Sequence, residues 1–274
     1  MNYWHTGKSL VRAIFTLIIL GALVSCAVVT PKTNDLYQVH SIYQREFASL
    51  MVPAPGSNLK PDPSTSFNET LVAIRNYKAK YAGLPEAMHL TVLEAMIYLQ
   101  SRQFGMASLL QQEVSLAVEH LPSGTGRPVR DRLLARAFPY LLKGWQVIDR
   151  GGTDPLRELA FAVEGIRQVL RQEVGWTENG FNTENTNYFF GADDGGIYVA
   201  TSAAIFNVHI ISLQALSPSE PAAKKLFAEG AALIGPFLSQ SERAASSSLQ
   251  GSSQVRNSRL RYISWYSYLN KNSQ

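Results

Sequence analysis

Two stretches of this 274-residue chain carry side chains suited to chemistry. The first ends at Cys26, the only thiol in the sequence. Leu23-Val24-Ser25 precede it, and small residues there suit a signal-peptide cleavage site. Lys8 and Arg12 give this segment a positive start, and Ala13 to Ala22 give it an apolar middle. A membrane-spanning helix needs about 20 apolar residues, and this run is nearer half that. The second stretch, Gly175 to Gly196, is rich in Asn, aromatics and acids. Amides can satisfy sugar hydroxyls, and rings can cover the apolar faces of sugars. Trp176, Asn182, Asn185, Asn187, Tyr188 and Tyr198 are therefore the candidate ligand-binding residues, with polysaccharide as their ligand class.

Leu23-Val24-Ser25-Cys26 resembles the lipobox of bacterial lipoproteins. The resemblance implies a diacylglyceryl thioether on Cys26, cleavage after Ser25 and acylation of the new amino terminus. One acyl chain holds a protein to a bilayer only marginally, whereas two or three hold it durably. Ala27, not aspartate, follows the cysteine. Similarity to Gram-negative lipoproteins then implies sorting to the outer membrane, facing the periplasm. An ordinary secretory signal, with Cys26 incidental, is the rival reading. The expected layout is a signal peptide over 1–25, a lipidated tether over 26–35 and a single helical domain over 36–274.

Charge and composition narrow the function. The net charge of +4 falls to +2 once Lys8 and Arg12 leave with the signal. That balance, with the envelope location, excludes nucleic acid as a partner. A lone lipidated cysteine leaves no disulfide, so stability must come from apolar burial, for which the chain is long enough.

The elements that must position these residues read as helices. Leu36, Tyr43, Phe47 and Leu50 recur at helical spacing over 35–51. Pro53, Pro55, Pro61 and Pro63 then make a stiff connection. Ser66 is a plausible N-cap for a helix to about 81, with Leu71, Ile74 and Tyr77 or Tyr81 inward. Pro85 suits the first turn of a helix to about 102, striped by Leu90, Leu93, Met96 and Ile97. After a turn at Phe104-Gly105, a return helix over 107–121 must lie antiparallel to it. Asp131 opens a helix to about 148 that Pro139 should kink or split. Asp154-Pro155 opens another, with Leu156, Leu159, Val163, Ile166, Val169 and Leu170 inward. Two apolar helices follow, over 197–216 and 219–239. Residues 260–269 fit a helix through Tyr262, Trp265 and Leu269, yet Ile263 and Trp265 also alternate as in a strand. The fold class is all-α, with helical hairpins arranged as an α-solenoid or an α/α toroid.

Tyr98, Phe104 and Ala107 stand at the intervals of a tetratricopeptide repeat, and the hairpin weakly resembles one. That resemblance implies a concave helical surface that binds other proteins. A second resemblance spans roughly Arg127 to Tyr262. Gly180-Phe181-Asn182 leading through Phe189-Phe190 to Gly196-Ile197-Tyr198, between helices, is similar to the toroid of hyaluronate and chondroitin AC lyases. It implies that Tyr198 stands for the family's proton-transferring tyrosine. Phe189 or Phe190 stands near the family's histidine, and its asparagine has no assigned place. Proton abstraction needs a base and a group that stabilises the developing charge, so the resemblance implies sugar binding rather than cleavage.

Glu178, Glu184, Asp193 and Asp194 are oxygen ligands of the calcium type, but not at EF-hand spacing. The histidines show no zinc-binding spacing, and His209, inside an apolar helix, reads as a core residue. Arg256, Arg259, Arg261 and Lys271 flank the C-terminal aromatics, where they could meet anionic polymer or lipid headgroups, or simply be solvated. No metal, cofactor or catalytic residue is expected. The expected function is a non-catalytic helical adaptor for an envelope assembly, with envelope proteins as partners and the membrane held through Cys26. The alternative is a carbohydrate-binding or degenerate lyase-like toroid.

Overall fold

The structure is a computed structural model that describes residues 30–47, 52–57, 59, 67–120, 127–181, 195–245 and 253–274. Among these, ten helices and one two-stranded hairpin make an all-α domain. The helices are α1 (Pro31–Phe47), α2 (Asn68–Lys80), α3 (Pro85–Gln100), α4 (Phe104–Leu109), α5 (Gln111–His120) and α6 (Arg127–Arg150). After α7 (Pro155–Val174) come β1 (Trp176–Thr177) and β2 (Gly180–Phe181). The chain ends with α8 (Gly195–Leu213), α9 (Pro221–Ala245) and α10 (Ser253–Ser273).

Helix α1 starts earlier than the periodicity predicts. Thr30 Oγ1 accepts the Thr33 N–H at 3.3 Å, and Pro31 follows it at the position whose missing N–H costs nothing. The helix therefore takes in residues 31–35 of the expected tether. Lys32 pairs with Glu86 at 2.7 Å and Asp35 with Lys80 at 2.8 Å, which holds α1 onto α2 and α3.

Helix α3 is buried on two faces. Leu90, Leu93 and Ile97 join Val39, Tyr43, Phe67, Ile74 and Tyr77 in a smaller apolar cluster with α1 and α2. Val92, Met96 and Leu99 point into the larger core. That core is built from α3 to α10, with α8 at its centre against α6, α7, α9 and α10. Helix α8 is long and apolar enough to cross a membrane, but most of it is buried inside the fold, as in a core helix.

Three expectations need correction. Helix α6 continues through Pro139 and is not split there. Leu134, Phe138, Leu141, Leu142 and Trp145 all bury along it, and that burial outweighs the backbone bond that proline removes. Leu156 lies exposed at the start of α7, while the other five residues of its stripe are buried. The expected turn at Phe104-Gly105 is already helical, and the expected single return helix is divided at Leu110 into α4 and α5. At the C-terminus the helical alternative holds: Tyr262, Trp265 and Leu269 are buried on one face and Ile263 is exposed.

Candidate functional site

The site residues hang on the end of α7. Asp154 caps the start of that helix, its Oδ1 accepting the Arg157 N–H at 3.2 Å. Gly175 ends it in the left-handed conformation, φ 64°, with its N–H donated to the Leu170 carbonyl. The chain then turns through β1 and β2, where Trp176 pairs with Phe181 and Thr177 with Gly180. Thr177 Oγ1 donates to the Gly180 carbonyl at 2.9 Å. The Phe181 ring meets Phe237 of α9 edge-on at 4.9 Å, so the hairpin is fixed to two helices.

Trp176 is 1% exposed. The Arg171 guanidinium lies 5.7 Å from its ring centre, on the solvent side of a residue otherwise sunk in the core. Its indole N–H is buried with no hydrogen-bond partner among the described residues. Tyr198, in the first turn of α8, is 6% exposed. Burial pushes its phenol up to about 12, opposed by the nearby polar ends of Ser202, Gln100 and Trp145. Ser202 Oγ also donates to the Tyr198 carbonyl at 2.9 Å. Trp145 in turn meets Phe206 edge-on at 5.3 Å.

The tyrosine to which the lyase resemblance assigns proton transfer is therefore buried inside the core. The side chains of Ser202, Gln100 and Trp145 lie near its hydroxyl. Trp176 and Tyr198 belong to one apolar cluster, and neither ring is presented to solvent. Asn182, Asn185, Asn187 and Tyr188 lie outside the described residues, as does Cys26. Of the acids suited to calcium, only Glu178 is described. Among the described residues no group of three or more His, Cys, Asp or Glu could hold a metal ion. His209 is half-buried on α8, and that burial holds its pKa below the ordinary value.

Two polar side chains, Gln100 and Asp131, are buried where the sequence suggested no site. Gln100 ends α3 and is buried, with both amide atoms lacking hydrogen bonds of normal geometry. Asp131, chosen as a helix opener, instead lies buried in the first half of α6, with one carboxylate oxygen 3.8 Å from His89 Nδ1. A glutamine or aspartate in otherwise apolar periodicity was the available signal. The chain matches no protein-family model, no curated protein and no solved structure.

Proposed function

We propose that the protein is an envelope lipoprotein, held to the outer membrane through acylated Cys26, whose helical body acts as a non-catalytic adaptor for an envelope assembly. The observation that carries this reading is the run Leu23-Val24-Ser25-Cys26 behind a short apolar segment, in a chain with no other cysteine. The body supports it. Helical surfaces are well suited to partner helices, and the tyrosine to which the lyase resemblance assigns proton transfer is buried in the core.

The test compares the wild-type chain with Cys26→Ala in a Gram-negative host. Wild type should enter the detergent phase on partitioning, and its N-terminal peptide should carry diacylglycerol and a third acyl chain by mass. The alanine variant should keep its signal or be released to the aqueous phase. A wild-type chain that stays in buffer with no added acyl mass overturns the proposal.

A further inference from the structure

The first turns of α1 meet the end of α2 and the start of α3 at one end of the fold. Lys32 Nζ donates to Glu86 at 2.7 Å, and Asp35 accepts from Lys80 at 2.8 Å and from the Tyr81 hydroxyl at 2.9 Å. The connection between α2 and α3 therefore lies beside the start of α1. Its residues, Tyr81-Ala82-Gly83-Leu84, with Pro85 after them, carry no charge. Ala82, Gly83 and Pro85 are exposed, and Tyr81 and Leu84 are half-buried. Gly83 turns the chain there at φ 80°, a conformation that suits glycine. The flanking charges form two pairs, Lys32–Glu86 and Lys80–Asp35, so this tip attracts neither sign strongly.

Covalent length ties this tip to the lipid anchor. Ala27, Val28 and Val29 separate Cys26 from Thr30, which precedes α1. The chain from Cys26 to Thr30 spans at most about 14 Å. An acylated Cys26 sits at the lipid headgroups, so Thr30 is never farther than that from them. Helix α3 has 16 residues and runs about 24 Å from Pro85 to its other end. A body standing on that far end, at Gln103, would lift Thr30 beyond the reach of the chain. Among the faces left within reach, Tyr81 to Pro85 suits an interface best. It is an uncharged run with a tyrosine ring, flanked by lysines whose stems can lie along it. We infer that the α2–α3 connection rests on the headgroups of the lipid bilayer, with α3 pointing away from it. The inference rests on the Cys26 anchoring and names the face of the fold that meets the membrane.

The acylated chain is reconstituted in vesicles of phosphatidylethanolamine and phosphatidylglycerol. Cys26 has no free thiol once acylated, so Ala82→Cys and Gln103→Cys each present a single thiol for a fluorescent label. Both positions are exposed, and circular dichroism should show both variants folded. A nitroxide quencher is carried on the lipid headgroups. The label at 82 should lose most of its emission and the label at 103 little, because the headgroup layer is only about 5–8 Å deep. The vesicles hold no partner protein, so quenching at 82 assigns the face to the bilayer itself. Vesicles that float with the protein yet quench both labels equally, or 103 more than 82, overturn the inference and leave the anchoring intact. So does a label at 82 that stays bright, which would leave the face to a partner protein. A chain that fails to float with the vesicles and lacks acyl mass overturns the anchoring and this inference together.

Discussion

The indole of Trp265 donates its hydrogen bond to the Pro53 carbonyl at 2.5 Å, across 212 residues of sequence. Arg261, one helical turn earlier, donates to the Val52 carbonyl at 2.9 Å. The first connection of the chain is thus fastened to its last helix. Proline offers no N–H, so its carbonyl is the one backbone group Pro53 can contribute, and a buried tryptophan N–H needs such a partner. Val52 joins the main core beside it.

Trp265→Phe tests this clasp while keeping most of the ring. The Pro53 carbonyl would lose its partner in a buried place, and stability should fall by about 1–3 kcal/mol. Trp265→Ala adds a cavity and should cost about 3–5 kcal/mol. Urea midpoints measure both. A phenylalanine variant as stable as wild type would show that the hydrogen bond contributes nothing to stability.

Gly144 gives a sharper sign. Alanine within a helix is ordinarily favoured over glycine by about 1 kcal/mol. A Cβ at Gly144, however, would run into the fully buried ring of Phe206. Gly144→Ala should therefore destabilise by about 1–3 kcal/mol. Adding Phe206→Leu should recover part of that loss, because the smaller side chain vacates the space. Gly165 faces Tyr140, a half-buried ring able to swing outward, so Gly165→Ala should cost less. Thermal melts of the three variants rank them, and a gain in stability at Gly144 would refute the steric account.

Helix positions were legible wherever apolar residues recur at one spacing. Leu90, Leu93, Met96 and Ile97 are all buried as the pattern requires, and so are Tyr262, Trp265 and Leu269. The pattern misled where local chemistry and tertiary burial compete. Pro139 reads as a kink or a split, yet the helix runs on through it, held by packing that no local rule registers. Trp176 and Tyr198 read as sugar contacts because aromatic side chains in an Asn-rich stretch suit that role. Residue type does not reveal burial, and here the core takes both rings. Leu109 and Leu116 are as apolar as the core residues beside them and yet exposed, because Phe104, Ala107, Val114 and Ala117 set which side of α4 and α5 meets the core.

Alkaline stability should depend on Tyr198. Its phenol is held at about 12 when folded, against an ordinary value of 10.0, so the folded state binds the proton more tightly than the unfolded chain. The stability linked to this proton is complete below the unfolded pKa and is lost as pH rises toward about 12. The slope can reach about 1.4 kcal/mol per pH unit. Tyr198→Phe removes the titration and should flatten that limb. Urea midpoints at about pH 9 and about pH 11 would show it. The same fall in both proteins would place the alkaline sensitivity elsewhere.

The two faces of α3 should unfold separately. Leu93 belongs to the small cluster with α1 and α2, whereas Met96 belongs to the large core. A small cluster carries less burial energy, so α1 and α2 should open without the rest of the fold. Ion pairs such as Lys32–Glu86 and Lys80–Asp35 assist there, but exposed pairs contribute little. Leu93→Ala should thus speed hydrogen exchange throughout α1 and α2 while protection in α8 persists. Met96→Ala should lower protection in α8 and in α6 together, with a global cost of about 2–5 kcal/mol. Exchange read by mass spectrometry on peptides from each helix separates the outcomes. If Leu93→Ala loosens α8 as much as α1, the small cluster and the large core unfold as one cooperative unit, and α3 transmits strain between them instead of insulating one from the other.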